Sequence, residues 1–517
     1  MFFVFCQPAY MKILLFCGLL IALMPAAPMA MAQSKPKPVQ ATAASLPEKV
    51  ITKAETEAHL RFLAADELQG RRTGDPGSLV AARYIAEQFR QLGLKPAPGQ
   101  TDYFQMIPML RYGTPGAGTI MVGRDTLKQG VSFVTLSPAP GNLTAETMYV
   151  GYGLTDGPDG YNGRDVKGKI VVAQVGSPET TTGGGMTAAS QQKRRMAAEK
   201  GAVAVIELYT QATYPWPFLT RYLSGEQTAL KPAADEPQIP HLWVDNGKNQ
   251  LAILKEAGQM VRLQTAPRPR TELKAMNVVA VVEGTDPKLK NEYVLLSAHY
   301  DHVGVGKQGG QAISASDSIF NGARDNAFGT VGLLTAAKAL KARPPKRSVL
   351  LVAYTAEEVG LLGSRYYAEH PLIPLNQTIF NLNIDAAGYN DTSVVSVIGL
   401  DRTGARIDIE AAARAFGMGV VADPAPEQGL FDRSDNVSLA AKGVPAPTFS
   451  PGFRTFDESL ARYYHQVTDN PDTIDFDYLL KFCQAYARAA RLIADRPIRP
   501  MWIAGDKYEA AAKALYK

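Results

Sequence analysis

Histidines and acidic residues recur in short groups along the second half of this chain: His299-Tyr300-Asp301, Asp325-Asn326, Glu357-Glu358, Asp385 and Tyr464-His465. Three of the groups follow apolar runs that read as buried strands. Val294-Leu295-Leu296-Ser297-Ala298 leads into His299, and Val349-Leu350-Leu351-Val352-Ala353-Tyr354 leads into Thr355-Ala356-Glu357-Glu358. Ile379-Phe380-Asn381-Leu382-Asn383-Ile384 leads into Asp385. Open α/β sheets carry their sites at the carboxyl ends of strands. Three successive core strands would therefore deliver a histidine, two glutamates and an aspartate to one rim. Imidazole and carboxylate donors together suit zinc. Carboxylates that converge without a cation repel one another, and some take up protons. Divalent metals relieve that repulsion. A carboxylate has two oxygens and can bridge two metals, which would then lie about 3.5–4 Å apart.

Taken singly, each group has a plainer reading. An aspartate at a helix start, such as Asp325, is most often a cap. Paired glutamates opening a helix are usually solvated and favoured by its dipole. A single histidine such as His465 is usually structural, and His59, His241 and His370 keep that reading. His302 stands near the candidate site with its role open.

Taken together and in order, the groups resemble the M28 family of co-catalytic zinc peptidases, which includes bacterial aminopeptidases. His299-Tyr300-Asp301 resembles the family's His-x-Asp, Asp325-Asn326 its bridging aspartate motif, and Glu357-Glu358 its paired glutamates. Asn383-Ile384-Asp385 resembles its third acidic ligand, and His465 its late histidine. The resemblance covers roughly residues 277–495 and extends more weakly to the N-terminal helices.

The resemblance implies two Zn2+ ions per chain. One would be held by His299 and Asp385, the other by Glu358 and His465, with Asp325 bridging. Asp301 would orient the imidazole of His299. Glu357 would be the general base that moves a proton from the attacking water to the leaving amine. The implied activity is hydrolysis of the N-terminal peptide bond, with peptides as substrates. Carboxypeptidase or dipeptidase action on the same site is the alternative. It needs a cation for the substrate carboxylate, and Arg324 and Arg454 are candidates. A single-zinc glutaminyl cyclase-like acyltransferase is disfavoured because such relatives lose the first histidine, and His299 is present. A non-catalytic binding protein is disfavoured because all five ligands and Glu357 are kept. One departure stands out: Arg433-Ser434-Asp435-Asn436, ahead of Gly443-Val444-Pro445-Ala446, has Asn436 where the family often has histidine.

The elements that must position these residues are legible as patterns. Strand-like runs at 278–282, 293–298, 348–354, 378–384 and 394–398 alternate with helical patterns at 328–341 and 361–370. Such alternation predicts an α/β fold, a mostly parallel mixed sheet with helices on both faces. Residues 55–94 read as two helices around a turn marked by Gly70, Gly74, Pro76 and Gly77. Between 144 and 271 the texture changes to short strands, 169–175 and 202–208, around a helical segment, 188–200. The stretch Tyr161-Asn162-Gly163-Arg164-Asp165-Val166-Lys167-Gly168 and the later Lys200-Gly201-Ala202 resemble a protease-associated domain. The expected organisation is a signal peptide at 1–32, the first part of the peptidase domain at 33–143, an inserted β-rich domain at 144–271 and the catalytic zinc peptidase domain at 272–517.

At the N-terminus, Lys12 precedes an apolar run at 13–24 and a small-residue site ending Ala30-Met31-Ala32, the pattern of a secretory signal. Export to a periplasmic or secreted location is expected, without stable membrane association after cleavage. Removal of the segment would leave Cys483 as the one cysteine of three, so no internal disulfide is expected. In the 517 residues, 46% are hydrophobic and 20% charged, with a net charge of +5. Basic residues are interleaved with acids, so nucleic acid is not an expected partner. Gly304, Gly306 and Gly309 fit a dinucleotide-binding spacing, but no convincing helix follows. No G-x-S-x-G elbow is present.

Overall fold

The apolar runs ahead of the chemical groups form the middle of a nine-stranded sheet. The structure is a computed structural model and describes residues 46–517 apart from 138, 159, 180–182, 212, 234–235, 257, 307–312 and 314–315. The expected signal segment, 1–32, and Gly309 lie outside the described residues. No helix among the described residues is long and apolar enough to cross a membrane.

Across the sheet the strands run in the order Gly419–Ala422, Val394–Ile398, Thr448–Pro451, Thr378–Ile384, Tyr293–His299, Ser348–Tyr354, Arg270–Val282, Phe104–Tyr112 and Gln227–Leu230. The central three, Thr378–Ile384, Tyr293–His299 and Ser348–Tyr354, are parallel. Arg270–Val282 flanks them antiparallel on one side; on the other Thr448–Pro451 continues the parallel order beside Thr378–Ile384, and Val394–Ile398 then runs antiparallel to it. The parallel strands are buried on both faces because successive side chains enter different cores. Val294, Leu296 and Ala298 pack with residues of the helices Lys53–Leu63, Pro76–Gln91, Gly329–Ala342 and Phe476–Asp495. Leu295 packs on the opposite face with residues of Leu362–Glu369, Asn436–Ala440 and Glu509–Leu515. The longest helix, Phe476–Asp495, is started by Asp475, whose carboxylate accepts from the N–H groups of Asp477 and Tyr478.

Residues between 118 and 265 form a second, eight-stranded sheet in the order Asp125–Lys128, Gly118–Val122, Met260–Thr265, Gly141–Tyr149, Ile170–Gln174, Ala204–Tyr209, His241–Asp245 and Phe133–Thr135. The chain thus enters this sheet at Gly118, ahead of residue 144. It has its own apolar cores, one of which gathers Ile120, Phe133, Ile170, Ile206, Leu242 and Leu263. Its helix Gly183–Glu199 is tied down by a buried polar group. The Glu207 carboxylate accepts from Lys193 Nζ at 2.5 Å, from Trp243 Nε1 at 3.1 Å and from the Ser190 hydroxyl, and lies 2.7 Å from His241 Nε2. A buried charge is tolerated only when so paired. His241 therefore has the structural role expected of it, as does His59, 2.7 Å from the Tyr84 hydroxyl. One strand between the parts of this sheet, Gln227–Leu230, leaves it and pairs with Phe104–Tyr112 of the central sheet.

Leu296 is fully buried three residues before His299. Leu296→Ala should destabilise the protein by about 2–5 kcal/mol, the loss for a large-to-small change in a packed core. In urea unfolding of the full chain the midpoint should fall; an unchanged midpoint would contradict the packing described.

Candidate metal centre

The parallel register brings the strand ends level. Ala298 lies opposite both Ala353 and Ile384, so His299 and Asp385 leave the sheet side by side. Glu357 and Glu358 follow Tyr354 by a short turn. There Ala356 has a φ of 60°, and the N–H groups of Gly360 and Leu361 both donate to the Glu357 carbonyl. The next helix begins only at Leu362, so the glutamate pair sits on a turn and not in the helix's first turn. Asp325 lies in a short irregular helical turn, Ala323–Phe328, where its own backbone angles and those of Asn326 are non-helical. That departure from the helix, ahead of Gly329–Ala342, points the carboxylate inward, where it is 6% exposed.

The five expected ligands come together as two donor groups that share one residue. His299, Asp325 and Asp385 form one; His302, Asp325, Glu358 and His465 form the other. Within each group the donor atoms lie within 4.8 Å of one another. Asp325 divides its two oxygens between them. Oδ1 is 3.4 Å from His299 Nε2, and Oδ2 is 3.1 Å from His465 Nε2. His299 Nε2 is also 3.5 Å from Asp385 Oδ1, and His465 Nε2 is 3.0 Å from Glu358 Oε2. The cluster is closed at its floor and open at its rim. The side chains of His299 and Glu358 are 1% and 7% exposed, those of Asp385 and His465 21% and 25%.

This donor set fits divalent metal. Among the described residues the Nε2 atoms of His299 and His302 are buried without a hydrogen-bond partner, and aligned imidazole and carboxylate donors are the ligands zinc takes. Electrostatics point the same way. Burial alone would lower the pKa of His299 and of His465, yet the surrounding carboxylates outweigh it. Glu357, Asp325 and Asp385 hold His299 well above its ordinary value, and Glu358 and Asp325 hold His465 at about 12. Conversely, burial would raise the Glu358 carboxyl, but His465 and His302 bring it down to about 2. Glu357 is pushed well above the ordinary carboxyl range by burial, with Asp385 and Glu358 adding to the push and His299 opposing it.

Asp301 is buried beneath His299. The nearest acceptor to His299 Nδ1 is the main-chain carbonyl of Asp301 at 3.2 Å, with the carboxylate Oδ1 at 3.8 Å. Both acceptors belong to the residue expected to orient the ring. The same carboxylate accepts from the Glu357 N–H at 3.2 Å and from the Thr73 hydroxyl at 2.8 Å.

Several residues of the site were not singled out by their spacing. His302 Nδ1 is 2.7 Å from Glu358 Oε1, and its ring meets that of His465 edge-on at 5.5 Å. Asp469 accepts from the backbone N–H groups of Arg324 and Asp325 at 2.9 and 3.2 Å, which fixes the turn carrying the shared carboxylate. Its position four residues after His465 was the available signal. Asp435, in the segment marked for its departure at Asn436, is buried, and burial pushes its carboxyl up to about 7. The two arginines considered for a substrate carboxylate are both engaged. Arg324 is buried against Asp469 at 3.0 Å and Thr473, with its guanidinium 3.7 Å from the Tyr463 ring. Arg454 pairs with Asp391 at 2.7 Å.

With this geometry in view, comparison with known proteins is informative. Residues 277–490, which hold all five ligands, match the model of Peptidase family M28. The family resemblance carried by the five groups therefore holds over this region. Among curated proteins, 250 residues are 28% identical to Leucine aminopeptidase 2 of Arthroderma otae, covering 48% of this chain and 41% of that protein. A stretch of 251 residues is 25% identical to Aminopeptidase YwaD of Bacillus subtilis, covering 47% of this chain and 51% of that protein. The chain thus spans about half, or less, of the length of these curated relatives. Among solved structures, the aminopeptidase from Aneurinibacillus sp. strain AM-1 superposes with a TM-score of 0.55 at 22% identity. The match covers 87% of this chain and 96% of that one, so the fold is shared over nearly the whole of both.

Metal ligands must be deprotonated to bind. Because the imidazoles of His299 and His465 are drawn to raised pKa values, they hold protons at neutral pH that a metal must displace. Zinc binding at pH 7 should therefore release protons, and affinity should weaken as pH falls. Calorimetric titration in buffers of different ionisation enthalpy measures this directly, and a buffer-independent heat would contradict it. In the same assay Asp325→Ala should lower the number of metals bound, since both donor groups use that residue.

Proposed function

We propose that this chain is an exported metallo-exopeptidase that removes the N-terminal residue of peptides at a two-zinc centre. The observation that carries the reading is the division of the Asp325 oxygens between two donor groups, one with His299 and Asp385, the other with Glu358 and His465. Four ligands arranged around a fifth, shared carboxylate suit two ions better than one. The M28 match over the same residues and the aminopeptidases among the relatives support the activity. The signal-like segment 1–32 supports export.

When bound, the zinc pair supplies Lewis acidity to the scissile carbonyl and to the attacking water. The chain's own residues do the rest. Glu357 is half-buried beside His299, and burial raises its carboxyl well above the ordinary range, which makes it a stronger base than a free carboxylate. It accepts the proton of the attacking water at its carboxylate and delivers it to the nitrogen of the departing amine. Asp301 fixes His299 and, through the Glu357 N–H, the turn on which that base stands. A free α-ammonium is drawn to the acidic rim, although bound cations offset part of that charge. The carboxypeptidase alternative loses support because Arg324 and Arg454 are committed to Asp469 and Asp391.

Glu357→Gln keeps the size of the side chain and loses its basicity. It should leave zinc bound and lower turnover by a hundredfold or more, on the order expected for a lost general base. Retained turnover with full metal would reject the role. Which end of the substrate is attacked is decided by comparing a peptide with its N-acetylated form. Only the free amine should be cleaved, with the first residue released. Equal cleavage of both, or release from the C-terminus, would refute the aminopeptidase reading and leave the metal chemistry standing.

A further inference from the structure

The turn Gly70-Arg71-Arg72-Thr73-Gly74 joins two N-terminal helices, far in sequence from every ligand, yet it is buried against the metal centre. We propose that Thr73 is a positioning residue for the centre: its hydroxyl fixes the Asp301 carboxylate, and through it the backbone of the turn that carries Glu357 and Glu358. This proposal rests on the metallopeptidase reading above.

The geometry is direct. Thr73 is 2% exposed and Asp301 fully buried, and Thr73 Oγ1 donates to Asp301 Oδ2 at 2.8 Å. The other oxygen, Oδ1, accepts from the Glu357 N–H at 3.2 Å and lies 3.8 Å from His299 Nδ1. One rotation of the Asp301 carboxylate would therefore release the Glu357 N–H and loosen the turn that carries Glu357 and Glu358. The hydroxyl of Thr73 is the side-chain donor that opposes this rotation.

Thr73 is itself held from both sides. Arg111 Nη2 donates to the Thr73 carbonyl at 2.6 Å, and Arg111 Nη1 pairs with Asp75 at 2.7 Å. Arg71, fully buried, donates from Nε to the Tyr300 carbonyl at 2.8 Å, and from its Nη atoms to the carbonyls of Asn321 at 2.6 Å and Gly322 at 3.0 Å. These carbonyls belong to the two segments that carry His299 and Asp325. A fixed guanidinium fork spanning these three carbonyls and a fourth, that of Leu63 at 2.5 Å, makes the turn a rigid brace and not a loose connection. The approach is close enough that a Cβ on Gly70 would stand 2.5 Å from the carbonyl oxygens of Gly304 and Phe320. Outer partners of metal ligands commonly set metal affinity and activity by 10–100-fold.

The test uses the full chain and Co2+ as the probe metal. Thr73→Val removes the hydroxyl at nearly constant volume; Thr73→Ser restores it; Thr73→Ala serves if valine disturbs packing. Thermal unfolding checks that each variant is folded. Thr73→Val should weaken Co2+ binding and lower kcat by about tenfold to a hundredfold, shift the visible absorption of bound Co2+, and leave KM near the parent value. Thr73→Ser should return all three readouts toward the parent. A valine variant with the parent's Co2+ affinity, spectrum and kcat would overturn the proposal, as would a serine variant as impaired as valine. Failure of the parent itself to bind Co2+ would overturn the metallopeptidase reading, and this one with it.

Discussion

Asp325 places one carboxylate oxygen near His299 and the other near His465, almost wholly removed from water. Glu357, Glu358, Asp385 and Asp301 lie around it. Two like charges 4 Å apart repel by about 4 kcal/mol at the effective dielectric of such sites, and several are gathered here. Only cations or protons make that concentration of acid stable. The raised pKa values of both histidines and of Glu357 and the low value of Glu358 are four expressions of this one constraint. It also explains why the donor set suits divalent metal.

Holding such a cluster in place requires support from elements that contribute no ligand. The parallel strands set His299 and Asp385 level by register alone. The shared carboxylate is set differently, by Asp469 accepting from two successive backbone N–H groups while Arg324 closes the ion pair. Arg324 is thereby part of the scaffold and unavailable to substrate. From the opposite side, Arg71 and Thr73 tie the N-terminal turn to the segments carrying His299, Asp301 and Asp325.

The second sheet is connected to the same scaffold. Its departing strand Gln227–Leu230 extends the central sheet beside Phe104–Tyr112, and Glu226 next to it pairs with Arg72 and with Arg111 at 3.5 Å. Arg111 in turn holds the Thr73 carbonyl. A chain of polar contacts therefore runs from the inserted region to Asp301.

Much of this was legible in the linear sequence because local physics determines it. Apolar runs with buried-strand character predicted the strands at 348–354, 378–384 and 394–398 at their observed bounds, and chemical residues placed just after such runs marked the rim. The types of the five candidate ligands and their order needed no coordinates. Tertiary structure alone decided the rest. Thr73 and Asp301 are 228 residues apart, and Arg324 and Asp469 are 145 apart, so no periodicity links them. The glutamate pair falls on a turn because Ala356 and Leu361 adopt positive φ, a choice made by the packing around them and not by their own preference. The role of His302, open from its place near the candidate site, was decided when the fold laid Glu358 beside it. Ligand identity is a matter of side-chain chemistry and is written in the chain; which oxygen of Asp325 meets which histidine depends on distances that only the packed sheet and its braces can set.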